Sequence, residues 1–243
     1  MIWLDSVLAT PLMGIRFVPD WEKVFSYKEN VIPSFVKRDE GITIKLNSED
    51  SLSFALQTPK GWNYHINHNN LSVDFQYYFN QVRKPGELTS LASPEIMIYS
   101  EILQKMKVEL ETLWDAVHKG ENQPINFIGI LARCVIDKAK LPPGIEDLVK
   151  YLQKPWDLGF IKLKTNFTAN LAESEESLSR CHHDLWYDNE KNGGEVSLSL
   201  DFQRIFKEPV KLGKKKVGSL IEETLQEAAE YFEKIGTGEV IHV

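Results

Sequence analysis

Apolar residues recur along this chain with two different periods, and the changes of period mark its elements. Leu12-Met13-Gly14-Ile15-Arg16-Phe17-Val18 reads as a strand stopped by Pro19, after which Asp20 can cap a short helix carrying Trp21, Val24 and Phe25 and ended by Pro33. Four period-two segments follow at 42–46, 52–58, 62–66 and 71–79, separated by Asn/Ser/Asp or Pro-Lys-Gly turns, and predict an antiparallel meander. A long helix is predicted next, with Ser93 as N-cap and Pro94 and Glu95 in its first turn. Its apolar residues Ile96, Tyr99, Leu103, Met106, Leu110, Leu113, Trp114 and Val117 are spaced three and four apart, and Gly120 supplies the stop.

The same order then recurs. An apolar strand at 125–136 is followed by a Pro142-Pro143-Gly144 break, a short helix through Ile145, Leu148, Val149 and Leu152, and strands near 158–168, 178–187 and 195–205. A last amphipathic helix carries Val217, Leu220, Ile221, Leu225, Ala228, Phe232 and Ile235 and ends at Gly236. One segment sharpens the parallel: Leu71-Ser72-Val73-Asp74-Phe75-Gln76-Tyr77-Tyr78-Phe79 matches Leu198-Ser199-Leu200-Asp201-Phe202-Gln203-Arg204-Ile205-Phe206 at six of nine positions. Ile15-Arg16-Phe17-Val18 is aligned likewise with Ala132-Arg133-Cys134-Val135.

The expectation is an α+β fold of two pseudo-symmetric β-α-β(3–4)-α repeats, roughly 12–120 and 125–236, forming one pseudo-twofold domain over 1–243. Its antiparallel sheet would be curved and continuous, with the long helices on one face. The pleat assigns Leu71, Val73, Phe75, Tyr77 and Phe79, with Leu198, Leu200, Phe202 and Phe206, to the helix side. Ser72, Asp74, Gln76, Ser199, Asp201 and Gln203 then point to the open face, the expected place for a ligand or partner. This order of elements resembles duplicated TATA-box-binding-protein-like folds, a likeness of topology from which no function follows.

Composition narrows the function classes. In 243 residues, 28 Lys+Arg against 35 Asp+Glu give a net charge of −7, which disfavours broad binding to nucleic acid through phosphate neutralisation. Cys134 and Cys181 are too few for a disulfide scaffold and read as reduced thiols. The start lacks the basic and apolar regions of a signal peptide, and no membrane-spanning run occurs, so a cytoplasmic protein is expected.

Ile15-Arg16-Phe17, the helix with Tyr99, Leu103 and Leu110 leading into Phe127-Ile128-Gly129-Ile130, the Leu141-Pro142 turn and Val196-Ser197-Leu198-Ser199-Leu200-Asp201-Phe202 together resemble a sporadically distributed family of uncharacterised prokaryotic proteins. That family often carries an Arg-aromatic-x-Asn run after the central glycine, where this chain reads Leu131-Ala132-Arg133-Cys134. The resemblance implies a prokaryotic protein linked to mobile or defence-associated genes, with no activity attached.

Candidate chemistry is sparse. Cys181 with His183, or His182 with Asp184, can face one ion, and His65 and His68 lie in the corresponding hairpin of the first half, so a composite zinc site is one reading and ordinary strand and turn residues the other. Asp74 and Asp201 would bind magnesium or act as acid and base only if their oxygens converged. No glycine elbow accompanies either cysteine, and the glycines form no phosphate-binding pattern, so no cofactor is expected while zinc and magnesium stay open. Lys207, Lys211, Lys214, Lys215 and Lys216 make a basic stretch that suits RNA or a solvated loop, with Trp62, Tyr64, Tyr78, Trp186 and Tyr187 as candidate stacking residues. The apolar terminal segment Glu239-Val240-Ile241-His242-Val243 can add a strand to a sheet. The leading expectation is a non-catalytic protein-binding or scaffold protein with a protein partner; the alternatives are a nucleic-acid-binding protein and a metal-dependent hydrolase.

Overall fold

A computed structural model describes the chain apart from residues 1, 48, 51, 78–79, 83–89, 93–95, 155–161, 189, 191–193, 212–213 and 240–243, and apart from the side chains of 80–82, 90–92 and 214–216. In chain order its elements are β1 (Ala9–Phe17), α1 (Tyr27–Arg38), β2 (Thr43–Leu46), β3 (Phe54–Gln57), β4 (Trp62–Ile66), β5 (Asn70–Phe75), β6 (Asn80–Val82), β7 (Ser90–Ala92), α2 (Tyr99–His118), β8 (Pro124–Asp137), α3 (Pro143–Gln153), β9 (Lys162–Glu173), β10 (Ser177–Asp188), β11 (Glu195–Lys211) and α4 (Lys214–Thr237). Short 3-10 turns precede β1, α1 and α3. Nine strands form one open, antiparallel sheet in the order β2-β3-β4-β5-β1-β8-β11-β10-β9, and β6 pairs with β7 separately. β1 and β8 meet near the middle, flanked by β5 and β11.

The four helices lie on one side of the sheet. α2 packs on β1 and β5, α4 on β8 and β11, and α1 and α3 pack against α2 and α4 respectively. Alternation places Met13, Ile15, Phe17, Leu71, Val73, Phe75, Ile128, Ile130, Leu198, Leu200 and Phe202 under the helices, all buried. The helices answer with Ile102, Met106, Leu110 and Leu113 from α2 and Val217, Ile221, Leu225 and Phe232 from α4, so both halves contribute to one core cluster. The predicted meander, helix side and long helices are thus present.

The differences have identifiable causes. Pro33 lies inside α1 rather than ending it, because it is on the solvent side, where water can reach the carbonyl it frees, while Tyr27, Val31 and Phe35 hold the opposite face in the core. Ser93, Pro94 and Glu95, the predicted start of the long helix, lie outside the described residues. α2 begins at Tyr99, and Ile96 precedes it, 65% exposed. The cap comes from far away in sequence: Asp5 accepts from the Ser100 backbone amide at 2.8 Å and from its hydroxyl at 2.6 Å. At the other end Lys119 is left-handed with φ 50° and Gly120 continues at φ 81°, ending the helix as predicted.

The two aligned pairs of segments do not fit a single superposition of the strands. Leu12 is opposite Asp74 and Leu131 is opposite Asp201, so placing Asp74 on Asp201 brings Ile15 onto Cys134 and not onto Ala132. The parity of the two readings is the same, which is why the assignment of faces is unaffected.

Two contacts fix the periphery. Arg38, stacked 4.5 Å from the Phe35 ring, donates to Tyr64 and Glu109, each at 2.7 Å, while the Tyr64 hydroxyl donates to Glu109 at 2.7 Å. This charge-assisted knot ties α1, α2 and β4 together. At the other end α3 approaches α4 so closely that a Cβ on Gly144 would stand 2.1 Å from the Ile235 carbonyl oxygen and 2.5 Å from the Gly238 nitrogen. Both obstacles are backbone and cannot swing aside. Gly144→Ala is therefore expected to destabilise by about 1–3 kcal/mol, lowering Tm by about 2–4 °C for each kcal/mol. A thermal melt indistinguishable from the parent protein would refute this close approach.

Candidate binding face

Because opposite residues in an antiparallel ladder share a face, the register lays out the uncovered side of the sheet in transverse rows. The central row runs Gln57, Asn63, Asp74, Leu12, Leu131, Asp201, His182, Thr168. Each aspartate in it is held locally. Asp74 accepts from the Asn63 amide at 2.7 Å and meets His65 Nε2 at 2.7 Å. Asp201 accepts from the Gln203 amide at 2.6 Å, and the Gln203 carbonyl oxygen in turn accepts from Arg180 Nε at 2.9 Å. Burial raises the Asp201 carboxyl above its ordinary value, against the opposing pull of Gln203, His182, Arg180 and Arg133.

Asp74 and Asp201 share a face but do not converge. β1 and β8 stand between their strands, a separation of roughly 14 Å at ~4.8 Å per strand. A shared magnesium ion or an acid–base pair at these two residues is ruled out by that spacing. Of the other predicted face residues, Ser72 is buried against Gly14, Gln76 is exposed, and Ser199 and Gln203 are half-buried.

The next row carries Gly14 opposite Gly129 at the centre of the sheet. The Phe127 ring lies over Gly129, where a Cβ would come within 2.7 Å of it, and the Arg16 guanidinium sits 5.3 Å from the centre of the same ring. The glycine fills its place by letting an aromatic ring cover bare backbone.

On the β10 side of the central row the open face has a cleft of about 570 Å³, lined by Leu8, Arg133, Val135, Lys164, Asp184 and Trp186 among others. Three of these are apolar and conspicuously exposed: Leu8 at 50%, Val135 at 56% and Trp186 at 48%. Val135 and Trp186 stand in strand phase with polar residues. Val135 follows Arg133 on β8, and Trp186 follows His182 and Asp184 on β10. The stacking reading singled out Trp186, whereas Leu8 and Val135 went unnoticed; the available signal was an apolar residue in phase with a polar face.

The remaining candidates are dispersed. Cys181 and His183 point to the helix side, opposite Phe202 and Leu200, while His65 is on the open face opposite Ser72. Four strands separate β4 from β10, roughly 24 Å, so the composite zinc site does not form. His68 stacks on Trp21, with ring centres 5.3 Å apart. Among the described residues, no group of three His, Cys, Asp or Glu side chains is placed to hold a metal. Both cysteines are buried; burial alone pushes the Cys134 thiol up to about 12 and burial chiefly pushes the Cys181 thiol higher than usual, which suits inert packing. Lys207 pairs with Glu173 at 2.7 Å, Lys211 is exposed as the last residue of β11, and the side chains of Lys214, Lys215 and Lys216 lie outside the described residues. The proposed stacking set also breaks up: Trp62, Tyr64 and Tyr187 are buried on the helix side, Tyr78 lies outside the described residues, and Trp186 is exposed. No described helix is long and apolar enough to cross a membrane.

No family model matches this chain, and no curated protein matches it significantly. Among solved structures, the rolling circle replication initiator protein from Geobacillus stearothermophilus is similar over 90% of this chain and 80% of its own, at 10% identity and a TM-score of 0.27. A likeness that loose carries no argument.

Two buried histidines make the stability pH-dependent. His183 stacks on Phe167 and meets the Tyr231 hydroxyl at 3.0 Å, and burial lowers its pKa to about 4. His118 is enclosed by Phe17, Trp114 and Tyr27, and burial lowers its pKa to about 3. The folded protein thus refuses protons that the unfolded chain takes up below the ordinary value near 6.5. Their contribution is intact above that pH and is lost as pH falls toward 4, by up to about 1.4 kcal/mol per pH unit for each histidine. Urea midpoints should fall between about pH 7 and pH 5, and His183→Gln should show a shallower fall. Equal midpoints at both pH values would contradict this account.

Proposed function

We propose that this chain is a non-catalytic binding protein whose open sheet face receives a segment of a protein partner, centred on the cleft at Leu8, Val135 and Trp186. The observation that carries the reading is the exposure of three apolar side chains, Leu8 at 50%, Val135 at 56% and Trp186 at 48%, around a cleft of about 570 Å³ whose lining also includes the charged residues Arg133, Lys164 and Asp184. Apolar surface gathered in a concave place and rimmed by charge is the pattern of a recognition site, because its burial drives association while Arg133, Lys164 and Asp184 at the rim set orientation. Tryptophan is also the residue type that most often dominates such contacts.

The two-repeat organisation belongs to the same reading. β5 and β11 flank the β1–β8 pair in corresponding places, with Asp74 and Asp201 opposite Leu12 and Leu131, which supports a chain built as one unit written twice and later specialised on its second half. A prokaryotic setting is part of this proposal and rests on the sequence resemblance alone; a cytoplasmic one is also part of it and is supported by two free, buried thiols.

A second reading has one specific support: Trp186 is exposed with Lys164 directly opposite it on β9, a pairing that also suits an unpaired base and its phosphate. The two readings separate in one experiment. Selection of random displayed peptides against the immobilised protein should enrich binders that weaken at least tenfold with Trp186→Ala and with Val135→Asp, and that are indifferent to Phe25→Ala, an aromatic 73% exposed outside the cleft. A selection that enriches nothing, or binders unaffected by both cleft variants, would overturn the protein-partner reading. Retention of single-stranded oligonucleotides at low salt, lost with Trp186→Ala, would establish the second one instead.

A further inference from the structure

The two edges of the sheet are unlike. β2 is four residues long, whereas β9 runs for twelve and has no neighbour beyond it among the described residues. Edge strands are normally shortened, interrupted by proline or twisted by bulges, because their free amide and carbonyl groups invite pairing. β9 contains no proline, and its one irregularity, against Ser179 and Arg180, falls at its Leu171 end. The stretch before Leu171 is a regular strand, with at most half-buried side chains throughout.

We infer that β9 pairs with β9 of a second copy of this chain, antiparallel about a twofold axis at Phe167, to join two sheets edge to edge. The evidence is a palindrome of side-chain size on the helix side of the strand. Leu163, Thr165, Phe167, Ala169 and Leu171 read large, small, aromatic, small, large; antiparallel self-pairing centred on Phe167 sets Thr165 against Ala169 and Phe167 against itself within the regular stretch, and brings Leu163 to the bulged end at Leu171. Phe167 is 41% exposed and lies flat on His183, with ring centres 4.3 Å apart, which holds it ready for an aromatic partner across the axis. On the open face the same register places Lys164 opposite Asn170 and Asn166 opposite Thr168, so no like charges meet. A twofold axis normal to the sheet keeps both sets of helices on one side, and pairing removes both long free edges at once.

This inference is independent of the cleft on the open face. Sedimentation equilibrium of the intact protein should give a dimer, and Phe167→Lys, which sets two like charges on the axis, should give a folded monomer. The register has its own readout, since residues directly opposite in such a pair stand at disulfide distance. Under mild oxidation Phe167→Cys should yield a covalent dimer. Thr165→Cys alone should not, and Thr165→Cys combined with Ala169→Cys should. A monomeric parent protein, or cross-linking by Thr165→Cys alone but not by Phe167→Cys, would overturn the pairing.

Discussion

Met13 opposite Ile130 and Leu12 opposite Leu131, two adjacent rungs between β1 and β8, decide which residues of both halves face the helices and which face away. A slip of one residue in this ladder would turn one of the two strands over, sending either Met13 and Ile15 or Ile128 and Ile130 toward solvent and carrying Gly14 and Arg16, or Gly129 and Arg133, into the core. The cost of that exchange is the free energy of a buried core, far larger than any single contact on the periphery. From this register the neighbouring strands inherit their phase, β5 from β1 and β11 from β8. The pattern on the open face is a consequence of packing on the other one.

That face divides unequally. On the first half its polar groups are largely satisfied at short range, as where Asn63, His65 and Asp74 close on one another. On the second half the strands are longer, β10 and β11 extending over twelve and seventeen residues, and they overhang the end of β1 where Leu8 stands. The cleft arises at that step in strand length. Its position therefore follows from the difference in strand length between the halves.

Much of this was legible in the sequence, for identifiable reasons. Period-two alternation was sufficient for β3, β4 and β5 because each packs one face against helices, and period three-four spacing was sufficient for α2 and α4 for the same reason. The start of α2 was not legible, since its cap, Asp5, reaches Ser100 from 95 positions away. The continuation of α1 past Pro33 depends on where solvent lies, which no local pattern encodes. The carboxylate pair failed because residue spacing along a strand predicts a shared face while strand order, a long-range property, decides distance; the metal set failed on face as well, with His65 on the open side and Cys181 and His183 under the helices. Trp62, Tyr64 and Tyr187 were misjudged because aromatic type alone does not say which face a strand residue occupies.

Asp201 places a further condition on whatever covers the open face. Its carboxyl is already raised by burial while its own half of the sheet surrounds it with Gln203, His182, Arg180 and Arg133. A partner laid over the central row would strip more water from it and raise it further, at an energetic cost that grows with the charge left unpaired. A partner bearing its own donor, a backbone amide or a cation, would offset that cost, and a purely apolar one would not. The cleft at Leu8, Val135 and Trp186 lies to one side of the row, so an extended segment crossing both would bury apolar side chains in the first and bring hydrogen-bond donors to the second. On the proposed reading, a polypeptide with that division along its length would suit the face best.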